Sequence, residues 1–119
     1  PYLPHNIGRD SIVYTGTHDN NTSVGWYSEL SDEDKDLVRR YFECPDDQTI
    51  WQMIRHMMMT NAKYAVIPMQ DLLMLGSDAR MNTPSTCGSS NWSWKLRKNE
   101  LYSPNWSRIH YLIKLYGRY

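Results

Sequence analysis

Phenylalanine is nearly missing from this sequence: it occurs once, at Phe42, against nine Tyr and five Trp in 119 residues. Aromatic bulk therefore comes from side chains with a polar handle, which suit half-wet surfaces such as a cleft. An excess of one charge is also missing. Thirteen basic and thirteen acidic residues cancel, so no net field draws the chain to nucleic acid or to an anionic membrane, and neither is expected as a partner. Cysteine is scarce. Cys44 and Cys87 fit no zinc spacing, and buried or free thiols in a reducing compartment are the simpler reading. No apolar run has the length of a spanning helix and no signal peptide opens the chain, which leads to the expectation of a cytoplasmic protein. An early methionine is lacking too. The chain opens on Pro1 and its first Met is Met53, so it reads as a piece of a longer protein. Its length allows one domain with a modest core.

What is present is organised around Ile12 to Trp26. A short β-type run in β-branched and aromatic residues, Ile12 to Tyr14, sits within a strand expected over Ser11 to Thr15. It breaks at Gly16 into small polar groups and regains an apolar pattern at Val24, Trp26 and Tyr27. Asp and Asn are common turn formers, so His18, Asp19, Asn20 and Asn21 are consistent with a plain turn. Such a turn at the end of a strand is also where a barrel enzyme presents its chemistry, although taken alone the plain turn is the commoner case.

Around that stretch, Pro1 to Asp10 reads as loop. Thr22 or Ser23 is expected to cap a helix to about Leu30. Ser31 starts another, with acids in its first turn and Asp34 at the position that reaches back; Leu37, Val38, Tyr41 and Phe42 form its stripe and Pro45 stops it. Asp46 or Asp47 should cap a third helix whose buried stripe is Ile50, Met53, Ile54, Met57 and Met58, with Gln52 and Arg55 outward. His56 beside that stripe has no second histidine at metal spacing. Tyr64 to Pro68 is nearly continuous in apolar residues, like a strand covered on both faces. Strand, helices, strand implies a parallel crossover. Leu72 to Leu75 is a helical turn stopped by Gly76.

Asp78 to Leu96 is a long loop by composition, and long loops in compact domains are usually functional. Trp92 and Trp94, if extended, share one face, either as packing over the end of a barrel or as a surface for ligand. Ser103 and Pro104 open a last helix with Ile109, Leu112, Ile113 and Tyr116 on its apolar face and Gly117 at its end. Among the acids, Asp10, Glu29, Glu43, Asp78 and Glu100 have no convincing partner in the sequence.

Two loops together carry a resemblance. Thr15-Gly-Thr-His-Asp-Asn20, followed by Gly25 and Trp26, and then Ile67-Pro-Met-Gln-Asp-Leu72, Gly76-Ser77, Arg80-Met-Asn-Thr-Pro84 and Asn91-Trp-Ser-Trp94, resemble the amylomaltases, the 4-alpha-glucanotransferases of glycoside hydrolase family 77. The likeness covers nearly the whole chain in the family's order. It departs where the family usually has Asp in place of Asn21 and Gly in place of Ser85, and often Trp in place of Tyr27. A serine at 85 is uncomfortable if that turn needs positive φ.

The resemblance implies an α/β fold, the C-terminal portion of a TIM (β/α)8 barrel with about its last two strands, residues 1–119 forming part of one catalytic barrel without a separate second domain. It implies transfer of an alpha-1,4-glucan segment to the 4-hydroxyl of an acceptor glucan by a retaining double displacement, in which two carboxyl groups about 5 Å apart flank the scissile bond. On that pattern Asp19 is the third, transition-state-stabilising carboxylate. His18 donates a hydrogen bond to the same sugar and Asn82 is a substrate contact. Gln70 and Asp71 orient the strand end. The nucleophile and acid/base motifs are absent from this chain, which is expected to be inactive alone. No metal and no cofactor are implied, and the oligomeric state is left open.

Other readings are a carbohydrate-binding module using Trp92, Trp94 and Trp106, against which the expected helices and parallel strands argue, and a truncated remnant. A metal-dependent phosphohydrolase would need ligands that His5, His56 and His110 do not supply.

Overall fold

β-branched and aromatic side chains at 12–14 and 64–66 pair as two parallel strands, β1 (Ile12–Tyr14) and β2 (Tyr64–Val66), in the register Ile12 to Tyr64, Val13 to Ala65 and Tyr14 to Val66. Parallel neighbours need a crossover, here supplied by α1 (Ser23–Glu29), α2 (Asp32–Phe42) and α3 (Thr49–Met59). After β2 come α4 (Met69–Leu72), a long irregular segment and α5 (Asn105–Leu115). The computed structural model describes residues 3–119; the expected loop over 1–10 falls outside them at its first two positions and contains a 3-10 turn at Pro4–Asn6.

The helix starts follow their chemistry. Thr22 accepts from the Gly25 N–H and Ser31 from the Asp34 N–H, each relieving an orphan donor of the first turn. The third cap is different from expectation. Neither Asp46 nor Asp47 caps α3, because a 3-10 turn at Asp46–Gln48 precedes it and leaves Gln48 at the cap without a side-chain bond. Asp46 instead accepts from the Tyr27 hydroxyl at 2.5 Å and from Arg39 at 2.9 Å. Those two donors, Tyr27 first, hold its carboxyl below the usual carboxylate range. Glu29 and Glu100 also find partners: Glu29 accepts from the Asn21 amide and Glu100 from the Arg97 N–H. The helical turn expected at Leu72 to Leu75 begins earlier, at Met69, directly after Pro68. The last helix is capped one position later than Ser103, yet its hydroxyl still accepts from the Asn105 N–H at 3.3 Å.

The core lies between α3 and α5, where Ile50, Trp51, Ile54 and Met58 pack on Ile109 and Leu112. Val13, Met57 and Ala62 form a second cluster beneath the strands. Trp51 joins the stripe expected of α3, with Arg108 of α5 stacked 4.1 Å over its ring. Arg118 ties the chain's end to the α3–β2 connection by donating to the carbonyls of Met58, Thr60 and Ala62.

β2 is not covered on both faces. Tyr64 and Val66, with their register partners Ile12 and Tyr14, are each about half exposed. They share one face of the pair, opposite Val13 and Ala65, since side chains alternate along a strand. The continuous apolar run of the sequence thus corresponds, among the described residues, to one packed face and one open face. No helix among them is long and apolar enough to cross a membrane.

Candidate functional site

The carboxyl ends of β1 and β2 face the same way because the strands are parallel, and the segments leaving them meet. After Tyr14 the chain turns through Thr15 to Thr22. Asn20 closes this turn on itself: its side-chain oxygen reaches three residues back and accepts from the Thr17 N–H at 2.8 Å and the Thr17 hydroxyl at 3.0 Å. His18 and Asp19 ride on it, about half exposed, with His18 Nε2 3.4 Å from Asp19 Oδ2.

The segment after β2 reaches this turn through Arg80 and Asn82. Asn82 Nδ2 donates to Asp19 Oδ1 at 2.7 Å, and the Asn82 N–H donates to the His18 carbonyl at 3.1 Å. Arg80 spans both pieces, giving Nη2 to the Asp19 carbonyl at 2.7 Å and Nε to the Asn82 carbonyl at 2.8 Å. The three residues named from the sequence, His18, Asp19 and Asn82, therefore come together although Asn82 follows Asp19 by 63 positions. Arg80 has no role legible in the sequence: it lies within Arg80-Met-Asn-Thr-Pro84, but nothing in its spacing tells that its guanidinium serves backbone carbonyls rather than an acid.

Trp92 closes the site from a third side. Its backbone N–H donates to the Met81 carbonyl at 2.7 Å and its ring centroid lies 4.9 Å from that of His18 at a 40° tilt. The expectation that Trp92 and Trp94 share a face of an extended chain is wrong, since Trp92 sits in a turn at φ 59°. A second non-glycine residue of the same segment, Ser85, has φ 62°. Ser85 is thus in the left-handed region, which disfavours a residue with a Cβ. A cavity of about 180 Å³ is lined by His18, Gln70, Asp71, Arg80, Met81 and Trp92 among others, while Asp19 and Asn82 lie outside its lining.

Beneath the turn, Asp71 is 2% exposed and both of its oxygens are occupied. Gln70 beside it donates to the Ala79 carbonyl at 3.2 Å. On the flank, Asn21 donates to Glu29 and to the Ser77 hydroxyl, each at 3.0 Å, and accepts from the Thr22 N–H. An aspartate there could not donate and would repel Glu29, so Asn21 and Glu29 suit one another. Gly25 makes this packing possible: a Cβ on it would collide with Ser77 Oγ and fall 2.6 Å from Asn21 Oδ1.

Chemically, Asp19 is a carboxylate oriented by one amide donor, with Oδ2 turned to a histidine. That suits it to face developing positive charge or to accept from hydroxyl groups. Among the described residues, no group of three or more His, Cys, Asp or Glu could hold a metal ion.

Known proteins resemble the chain along nearly its whole length. The chain is 41% identical to the 4-alpha-glucanotransferase of Synechocystis over 99% of its length and 24% of that relative. It is 40% identical to the chloroplastic/amyloplastic enzyme of Arabidopsis thaliana, covering 99% of the chain and 21% of the relative, and 38% identical to the enzyme of Thermus thermophilus, covering 92% and 23%. The chain thus spans about a quarter of the length of the curated relatives it matches. Amylomaltase from Streptococcus agalactiae, solved in complex with acarbose, superposes with a TM-score of 0.90 at 33% identity, covering 97% of this chain and 23% of that one. Residues 1–101 match the model of the family described as 4-alpha-glucanotransferase, and the chain belongs to that family, glycoside hydrolase family 77.

Proposed function

We propose that this chain is the C-terminal portion of a 4-alpha-glucanotransferase, forming two strands of a (β/α)8 barrel and contributing one side of its active site. The observation that carries the reading is the convergence of Asp19, His18 and Asn82 at the carboxyl ends of two parallel strands, the place where barrel enzymes hold their chemistry. The half-exposed apolar face of Ile12, Tyr14, Tyr64 and Val66 supports the barrel, because a barrel's interior is filled with such side chains.

In the proposed reaction a carboxylate nucleophile elsewhere in the enzyme displaces the leaving glucan at the anomeric carbon. A carboxylic acid protonates the departing oxygen, and the same group then removes the proton of an acceptor glucan's 4-hydroxyl as that oxygen displaces the enzyme. Asp19 holds sugar hydroxyls and faces the positive charge that develops at the ring. His18 donates to the same sugar, and Asn82 aligns Asp19 while contacting substrate. The nucleophile and the acid/base lie outside this chain, so the 119 residues are inactive by themselves.

The test is disproportionation of maltotriose by a full-length enzyme carrying this chain, with and without Asp19→Asn. Loss of a preorganised charge in the site should lower kcat by about 10²-fold or more. Wild-type turnover in the folded variant would sink the role of Asp19. Turnover by the isolated chain would sink the division of labour.

A further inference from the structure

We infer that Asp71 is a positioning residue that fixes the His18–Asp19 turn by holding both of its ends at once. The inference rests on the glucanotransferase reading for its kinetic consequence, but its geometry stands independently. Asp71 Oδ2 accepts from the Thr15 hydroxyl at 2.6 Å and from the Ser23 hydroxyl at 2.8 Å; Oδ1 accepts from the Ser23 N–H at 2.7 Å. Thr15 is the first residue after β1 and Ser23 the first of α1. Everything that carries His18 and Asp19 lies between these two anchors.

A carboxylate this deeply buried is costly unless donors surround it, and here three do. One oxygen shared by two hydroxyls brings the start and finish of the turn to a common point. The backbone donor from Ser23 fixes where α1 begins, since that N–H has no partner within the helix. Asp71 itself is held by α4, its own N–H donating to the Pro68 carbonyl at 3.0 Å. The second strand thus sets the height of the turn leaving the first. With the internal Asn20 closure, the turn has little freedom left except through these anchors. Arg80 and Asn82 complete the clamp from above.

The experiment uses the full-length enzyme and the variants Asp71→Ala, Asp71→Asn and Thr15→Val. A displacement of the order of an ångström at reacting groups costs about 10²-fold in rate, so Asp71→Ala should lose kcat by about that factor with KM nearly unchanged. Asp71→Asn should regain most of it, because its oxygen still takes the Ser23 N–H and its amide can donate to both hydroxyls. Thr15→Val, which keeps shape and removes one donor, should lose kcat by about tenfold, and it decides the matter if Asp71→Ala does not fold. A folded Asp71→Ala or Thr15→Val with wild-type kcat overturns the inference. So does an Asp71→Asn no better than Asp71→Ala, which would assign a role to charge rather than geometry.

Amide hydrogen exchange over residues 16–22 gives a readout that needs no turnover. Exchange there should rise in Asp71→Ala, or in Thr15→Val if the former does not fold, and unchanged exchange overturns the inference whatever the enzyme does. Wild-type enzyme inert towards glucans would defeat the glucanotransferase reading and leave the exchange result to stand or fall separately.

Discussion

Asn82 donates its side-chain amide to Asp19 Oδ1 at 2.7 Å, linking the segment that leaves the second strand to the acid on the turn that leaves the first. A bond to a charged acceptor contributes about 1.5–3 kcal/mol, so Asn82→Ala should lower kcat by about 10- to 100-fold without changing the form of its pH profile. Asn82→Asp should behave differently. Two carboxyl groups at this separation cannot both ionise easily, so the pair loses its first proton at a lowered pH and its second at a raised one. While one proton remains, the introduced carboxyl would still donate to Asp19; once it leaves, like charges face each other. Activity of Asn82→Asp should therefore approach wild type on the acid side and fall as pH rises through the second step. A pH profile of kcat parallel to that of Asn82→Ala would show that the bond does not matter in the way described.

How much of this was legible in the sequence depends on whether the signal was local. The Thr22 and Ser31 caps, the buried stripe at Ile50, Ile54, Met57 and Met58 (Met53 of the expected stripe is only half-buried) and the parallel crossover follow from patterns within a turn or two of chain. The bond of Asn82 to Asp19 was approached through family likeness, because no periodicity connects positions so far apart. Asp46 departs from the expected cap for a related reason. Its placement before an apolar stripe suits a cap, but Tyr27 and Arg39 reach it from other helices and offer stronger donors. Trp92 and Trp94 looked like an extended pair, whereas hydrogen bonds among Thr83, Thr86 and Asn91 curl that segment. The open face of β2 was hidden because an apolar run reads alike whether its cover belongs to the same chain or not.

Ser85 offers a test of stored strain. Its φ of 62° costs a residue with a Cβ about 1–2 kcal/mol, and glycine, which bears no such cost, gives some of it back through its freer unfolded chain. Ser85→Gly should stabilise the protein by about 0.5–1 kcal/mol, seen as a higher denaturant midpoint with an unchanged slope. The substitution leaves the hydrogen bonds of Thr83, Thr86 and Asn91 in place, so kcat should stay near wild type. A lower midpoint would show that the serine hydroxyl, rather than the backbone angle, governs stability at this turn.

The pairing of Tyr27 with Asp46 makes stability depend on pH in a direction that can be worked out. Asp46 is held below its ordinary value of 3.8, first by the Tyr27 hydroxyl and then by Arg39. A depressed carboxyl contributes stability that is present above 3.8 and is lost as pH falls through its lower folded value. Tyr27 is held above its ordinary value of 10.0, first by burial and then by the bond to Asp46. A raised phenol contributes stability that is present below 10.0 and is lost as pH rises through its higher folded value. The bond therefore stabilises the fold across the interval between the two. Tyr27→Phe should lower the denaturant midpoint throughout that interval, and the gap to wild type should close in acid as Asp46 protonates and in alkali as the phenol ionises. The packing of the ring is retained in Tyr27→Phe, so a gap that stays constant from about pH 2 to 8 would assign Tyr27's contribution to the ring's surroundings and remove the bond from the account.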